Sequence, residues 1–184
     1  MAVCSSFSLR GCFMATVRML FVILISLTIA TQPAFALSTN SLASIHTYHE
    51  APGQTTFRSK QSLRDRSDRS WQVILFKRYQ ADELQGLYLR LIGFPGLVVP
   101  DSQKSLKVAT GASAQWQVQP ALDPQTQSLP DNAAQYEVTQ AIADLAGDIP
   151  LQIDIPLADS STAQLVVPPF AVHEWRDLNA QSPT

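Results

Sequence analysis

A chain of 184 residues with 46% hydrophobic and only 15% charged side chains has enough apolar surface to bury a core, which excludes a disordered polyelectrolyte. A formal net charge of −2 gives no electrostatic drive toward a phosphate backbone, so nucleic acid is excluded as a partner. The two cysteines, Cys4 and Cys12, sit near the start, so nothing after residue 12 can supply a disulfide, a thiolate nucleophile or a cysteine metal ligand.

Residues 1–36 carry Arg10 and Arg18 and no acid. An apolar run from Met19 to Leu27 continues weakly to Ala30, and Ala34-Phe35-Ala36 follows Pro33. A positive start, a short apolar segment and a small-x-small exit predict a cleavable signal peptide. The cut falls after Ala36, so the mature chain begins at Leu37; Met14 is an alternative start, because Arg18 still supplies the charge. The apolar run is shorter than the ~20 residues a spanning helix needs, so no transmembrane segment is expected after cleavage. Leu9-Arg10-Gly11-Cys12 precedes the apolar run and does not serve as a lipid-attachment box.

Residues 37–184 hold 11 basic and 15 acidic side chains, a net charge of −4. Their distribution is uneven. Arg58 to Arg90 contains eight basic and four acidic residues, and Asp101 to the end contains three basic and ten acidic ones. The two stretches can neutralise each other across one fold or steer a charged partner.

Residues 37–54 read as a polar mature arm with a turn at Pro52-Gly53. Residues 55–178 read as a single globular domain, and 179–184 as a loose polar tail. Thr56 to Leu63 alternates, with Phe57, Ser59, Gln61 and Leu63 on one face and Arg58, Lys60, Ser62 and Arg64 on the other, which predicts a half-buried strand with a basic side. Trp71 to Tyr79 is rich in aromatic and β-branched residues. Leu84 to Ile92 alternates again. These three predict an antiparallel meander, stopped by Gly93-Phe94-Pro95-Gly96. Leu97 to Pro100 is a short extended piece. Leu106–Ala109 and Gln115–Gln119 are further strands, and Pro120 to Pro130 is a surface loop. Asn132 with Gln135 resembles a helix N-terminal capping pattern, and Tyr136, Val138, Ile142 and Leu145 recur at near-helical spacing, so one helix is expected over 133–146. Leu151–Leu157 and Ala163–Val167 alternate around a turn at Asp159-Ser160-Ser161. Pro168-Pro169 marks an exit, and Val172–Trp175 reads as a last strand. The expected fold class is therefore α+β, mostly β: an antiparallel sheet curled into a sandwich or half-barrel, with one helix packed on it.

No residue is assigned a catalytic role. There is no G-x-S-x-G and no phosphate-binding glycine loop. His46, His49 and Glu50 have metal-like spacing, and His173-Glu174 could complete a site across the fold, but a metal needs more ligands than that spacing supplies, so none is assigned, and no cofactor is expected. Asp82-Glu83 reads as a pair of solvated turn acids, and Trp71, Trp116 and Trp175 as core. The candidate binding surface is Arg58, Lys60 and Arg64 with Phe94. For Phe94, a plug in the core with Gly93 turning the chain is preferred over an exposed contact. The leading function is an exported, non-enzymatic binding or accessory protein whose partner is a protein at a membrane or photosynthetic complex. The alternative is a small hydrolase or metal-dependent enzyme using histidines and carboxylates.

Six stretches carry a resemblance when taken in order: Arg58-Ser59-Lys60-Gln61-Ser62-Leu63-Arg64-Asp65; Trp71-Gln72; Phe76-Lys77; Leu89-Arg90-Leu91-Ile92-Gly93-Phe94-Pro95-Gly96; Val167-Pro168-Pro169-Phe170; and Glu174-Trp175. Together they resemble a family of small exported cyanobacterial proteins classed as a domain of unknown function, over roughly residues 45–177. The resemblance implies a cyanobacterial cell and a product in the periplasm or thylakoid lumen. It implies no activity and transfers no site residues.

Overall fold

Three long strands form the frame: β2 (Gln54–Arg64), β3 (Ser70–Gln80) and β4 (Glu83–Gly93), each of 11 residues. They pair as an antiparallel meander, with Phe57 opposite Lys77 and Leu75 opposite Leu89. A short β1 (His46–Tyr48) adds to one edge, within the stretch read as an arm, and β7 (Ala133–Glu137) adds to the other, giving the order β1-β2-β3-β4-β7. A second sheet has the order β6-β5-β8-β9, from β5 (Leu106–Thr110), β6 (Ala114–Val118), β8 (Leu151–Pro156) and β9 (Thr162–Val167). The computed structural model describes residues 45–111 and 114–183. The expected signal peptide and its cleavage site lie outside the described residues.

The two sheets curl toward each other. β1 covers β2 only as far as Arg58, which leaves the later half of β2 free on that side. There Asp65 bridges to Leu165 and the Arg66 N–H donates to the Gln164 carbonyl. At the opposite edge Pro120, just past β6, bridges to Tyr136 of β7. The result is a sandwich stitched at both edges and not closed into a barrel. Its interior collects the alternate residues the period-2 pattern points inward, among them Val73, Leu75, Leu89 and Leu91 from one sheet and Ile153, Ile155 and Leu165 from the other, all buried.

Two expectations are corrected. Residues 133–137 are a strand, not the start of a helix. Ala133, Ala134, Gln135 and Tyr136 are all buried, because the strand is covered on both faces, so no alternation remains to betray its period. Asn132 does not cap a helix; its Nδ2 donates to the Gly93 carbonyl at 2.7 Å and ties β7 to the end of β4. Only a single turn of helix follows, α1 (Thr139–Ala143). The second correction concerns the C-terminus. Val172–Trp175 lies in a 12-residue helix, α2 (Pro169–Ala180). Pro168 and Pro169 open that helix, where a missing N–H costs nothing, and Ala171, Val172, Trp175 and Leu178 form its buried stripe at helical spacing. The described residues thus hold two helices where one was expected.

The helix is moored at its middle and at its C-terminal end. Glu174, 1% exposed, accepts from Gln61 Nε2 on the inner face of β2 at 3.0 Å. Lys77, on the inner face of β3, donates to the carbonyls of Asn179 (2.6 Å) and Gln181 (2.9 Å), where the helix's unpaired carbonyls gather. Part of the stretch read as a loose tail is therefore bonded to the sheet.

Candidate interaction surface

The outward face of the meander is polar, and it divides into a closed half and an open half. In the closed half the loop after β6 folds back over the strands and inserts Asp123, which is 1% exposed. Its carboxylate pairs with Arg78 and, at 3.4 Å, with Arg90. It also accepts from the Thr126 hydroxyl and from the Gln125 N–H at 3.2 Å. Burial alone would raise the Asp123 carboxyl, but the Thr126 hydrogen bond and the Arg78 charge outweigh it and hold the group below its ordinary 3.8. Arg90 donates in addition to Gln135 Oε1 at 2.6 and 2.9 Å, and burial together with the neighbouring Arg78 lowers its guanidinium from the ordinary value against the pull of Asp123. Both guanidinium groups lie over Phe76, at 5.3 and 5.2 Å. Glu50 closes the outer side, pairing with Arg58 at 2.8 Å and Arg78 at 3.3 Å.

This cluster is saturated by its own chain, and what it does is hold the loop and the β1 edge to the sheet. The hairpin between β2 and β3 is held in the same way. Asp65 accepts from the N–H groups of Ser67 and Arg69, from Arg69 Nε at 2.7 Å and from Trp71 Nε1 at 3.0 Å. Burial would raise its carboxyl, yet these donors hold it below the ordinary value.

The open half lies at the far end of the same strands. Arg64 is opposite Ser70, and Trp71 is opposite Gly93, so the β2–β3 hairpin and the exit of β4 share one end of the sheet. Phe94-Pro95-Gly96-Leu97 makes a tight turn there. Leu97 N–H donates to the Phe94 carbonyl at 3.1 Å, and Gly96 takes φ +77°, which a proline-glycine pair favours at these positions. Gly93 permits a close approach, since a Cβ there would stand 2.9 Å from Cβ of the buried Val98. The turn is anchored below and bare above: Phe94 is 56% exposed and Leu97 70%. A shallow cavity of about 480 Å3 between Ser62, Ser70 and Gln72 of the hairpin and Phe94 and Pro95 of the turn joins the two.

The predicted surface residues part company. Arg58 belongs to the closed half, paired with Glu50 and 4.4 Å from the centre of the Tyr48 ring. Arg64 lies exposed on the open half and meets Asp68 at 3.1 Å; Lys60, opposite Ile74 and on the rung of Arg90, is exposed nearer the middle of β2 and has no ion pair among the described residues. Phe94 is exposed, which overturns the preferred view of it as a core plug. Arg66 in the hairpin and Leu97 in the turn belong to the same end and were not singled out from sequence. A run such as Leu-Val-Val after a Pro-Gly turn was a usable sign for Leu97. For Asp123, one acid in a proline-punctuated loop, the sequence held no sign at all.

The histidines do not make a metal site. His46 and His49 stand at the β1 edge, with His49 Nδ1 3.5 Å from the Thr55 hydroxyl. His173 is on α2, 2.9 Å from Asp148 and 3.5 Å from Asp177, on the exposed side of the helix. Among the described residues no three histidine or acidic side chains are placed to hold a metal ion.

Fold and site together define a small two-sheet β domain with a self-satisfied polar face and an exposed apolar turn beside the β2–β3 hairpin. The chain belongs to the family described as "Protein of unknown function (DUF3122)", whose model matches residues 43–178. No curated protein and no solved structure matches it.

Proposed function

We propose that this chain is an exported, non-enzymatic binding or accessory protein of the periplasm or thylakoid lumen of a cyanobacterial cell, and that it works at a membrane. The observation that carries this reading is the exposure of Phe94 and Leu97 on an anchored turn. An aromatic and an aliphatic side chain held out side by side on an anchored loop are what a contact surface uses, where an isolated exposed side chain would carry no such meaning. The N-terminal pattern of Arg10, Arg18, the apolar run and Ala34-Phe35-Ala36 supports export. The buried ionic groups support a binding role over a catalytic one, because Asp65 and Asp123 are both consumed by donors of their own chain.

Two measurements test the reading. Intact mass of the chain isolated from its own cells is expected to place the N-terminus at Leu37; a chain that retains residues 1–36 would overturn the export half. Salt-washed native membranes are expected to retain the wild-type chain and to release the Phe94→Ser/Leu97→Ser variant. Equal retention of both would remove this turn from the functional account.

A further inference from the structure

We infer that the free edge of β6 binds an extended peptide segment of a partner protein, neutral or basic in charge, which joins the second sheet as a further strand. The site is separate from the Phe94–Leu97 turn and does not rest on it.

A sheet edge exposes a row of unpaired N–H and C=O groups, and folded chains shorten, charge, kink or cover such edges. The edges of the two sheets are β1, β7, β6 and β9, and all but β6 are managed in these ways. β1 has only three residues. β9 is met by the hairpin, through the Asp65–Leu165 bridge and the Arg66 N–H on the Gln164 carbonyl at 3.0 Å. β7 is met by the chain beyond β6, where Pro120 bridges to Tyr136 and the Ala121 N–H donates to the Gln135 carbonyl at 3.0 Å. β6 pairs with β5 alone, from Ala114 opposite Thr110 to Val118 opposite Leu106, without a shift of register. Its sequence, Ala-Gln-Trp-Gln-Val, holds no charge and no proline. Among the described residues no strand pairs with its other side.

A cavity of about 460 Å3 runs along that side. The five consecutive residues Gln115 to Gln119 all line it, and since successive side chains point to opposite faces, what the five share is the edge of the strand. Gln140 and Ala141 of α1 form the opposite wall, and the groove ends at Ala121 and Glu137, where the chain is stitched to β7. The wall is fixed in place. Trp116 Nε1 donates to Asp144 Oδ2 at 3.0 Å and Gln140 Nε2 to Asp144 Oδ1 at 2.7 Å, a strap that joins β6 to the end of α1. A groove between a strand edge and a helix takes a single extended backbone, with main-chain hydrogen bonds giving affinity and the groove selecting alternate side chains. The helix also stands in the path of a second folded copy. The lining sets the charge of the segment. Glu137 is its one charged side chain, and Asp144 of the strap adds a second acid. Lys107, one strand inward on the rung of Gln117, stands opposite Asp154, which offsets it. An acidic segment is therefore disfavoured, and a neutral or basic one is accepted.

The test is selection from a library of random heptapeptides on the chain as it accumulates in its cells, followed by synthesis of the peptide that binds best. That peptide is expected to lack proline and acidic residues. Methylating its main-chain nitrogens at alternate residues should weaken binding about tenfold or more in one register and less than about twofold in the other, because only one set of N–H groups faces β6. Amide exchange should slow at alternate residues of β6 when the peptide is bound. Gln140→Trp, which crowds the groove from the exposed side of α1, should weaken binding about tenfold with the melt unchanged. Phe94→Ser/Leu97→Ser should bind the peptide like wild type, which keeps this site distinct from the turn. Recovery of no peptide, or of one that binds equally with either set of nitrogens methylated, would overturn the inference. So would slow exchange in β6 that needs no peptide and deepens with protein concentration, which would make a second copy the occupant.

Discussion

Asp65 and Asp123 show how a buried carboxylate becomes a fastening. Each is desolvated, which disfavours its charge, and each is surrounded by enough N–H and O–H donors to reverse that preference. Folding therefore lowers both groups from the ordinary 3.8. The native state binds fewer protons than the unfolded chain near that pH. The stability they supply is complete above the unfolded value and is lost as pH falls through the lower folded values. Urea midpoints should thus be flat from about pH 7 to pH 5 and drop steeply below about pH 4. Asp65→Ala should cost about 2–3 kcal/mol at neutral pH and flatten the acid limb, because it strands Trp71 Nε1 and two backbone N–H groups; Asp65→Asn, which keeps one acceptor, should cost less. An acid limb as steep in Asp65→Ala as in wild type would show that other carboxylates carry it. At this scale the sequence was partly legible. Lys77, Arg78 and Arg90 in otherwise strong strands announced that buried partners must exist. The identity of those partners was not legible, since Asp123 lies 45 residues from Arg78 and the Lys77 acceptors are backbone carbonyls more than 100 residues away.

At the scale of the element, period-2 alternation served well where one face is buried and the other is not. β2, β8 and β9 lie within a residue or two of where their patterns put them. It failed for β7, covered on both faces, and for α2, whose two prolines mimic the end of a strand as readily as the start of a helix. The stripe Ala171, Val172, Trp175, Leu178 was present in the sequence, but it extends past the point where Pro168-Pro169 invited the chain to be read as ending. α2 is also exposed to a single substitution in the sheet beneath it. Lys77 places a cation against its C-terminal carbonyls, and its stem is buried between helix and sheet. Lys77→Met keeps the stem and removes the donor. It should destabilise the domain by about 2 kcal/mol and speed amide exchange over Leu178 to Gln181, with β3 and β4 still protected. A uniform rise in exchange would mean that Lys77 supports the sheet and not the helix end.

At the scale of the whole molecule, the curled mostly-β sandwich was legible because strand patterns and turn residues agree along most of the chain. The described domain contains no cysteine, so its melt should be the same with and without reductant. The uneven charge was legible too, but its meaning was not. Among the described residues, the ion pairs that cross from the basic stretch to the acidic one converge on Asp123. The basic residues therefore fall into two groups with opposite consequences. Arg78 is buried and paired, so Asp123→Ala, which leaves it without its main counter-charge, should cost about 3–5 kcal/mol, or roughly 10–15 °C for a domain of this size. Lys60 and Arg66 are exposed and have no ion pair among the described residues, so replacing both with Gln should leave the melting temperature within about 2 °C. The first variant tests the fold and the second tests the surface. If the Lys60→Gln/Arg66→Gln variant melted as early as Asp123→Ala, those cations would belong to the folded structure and not to its free surface.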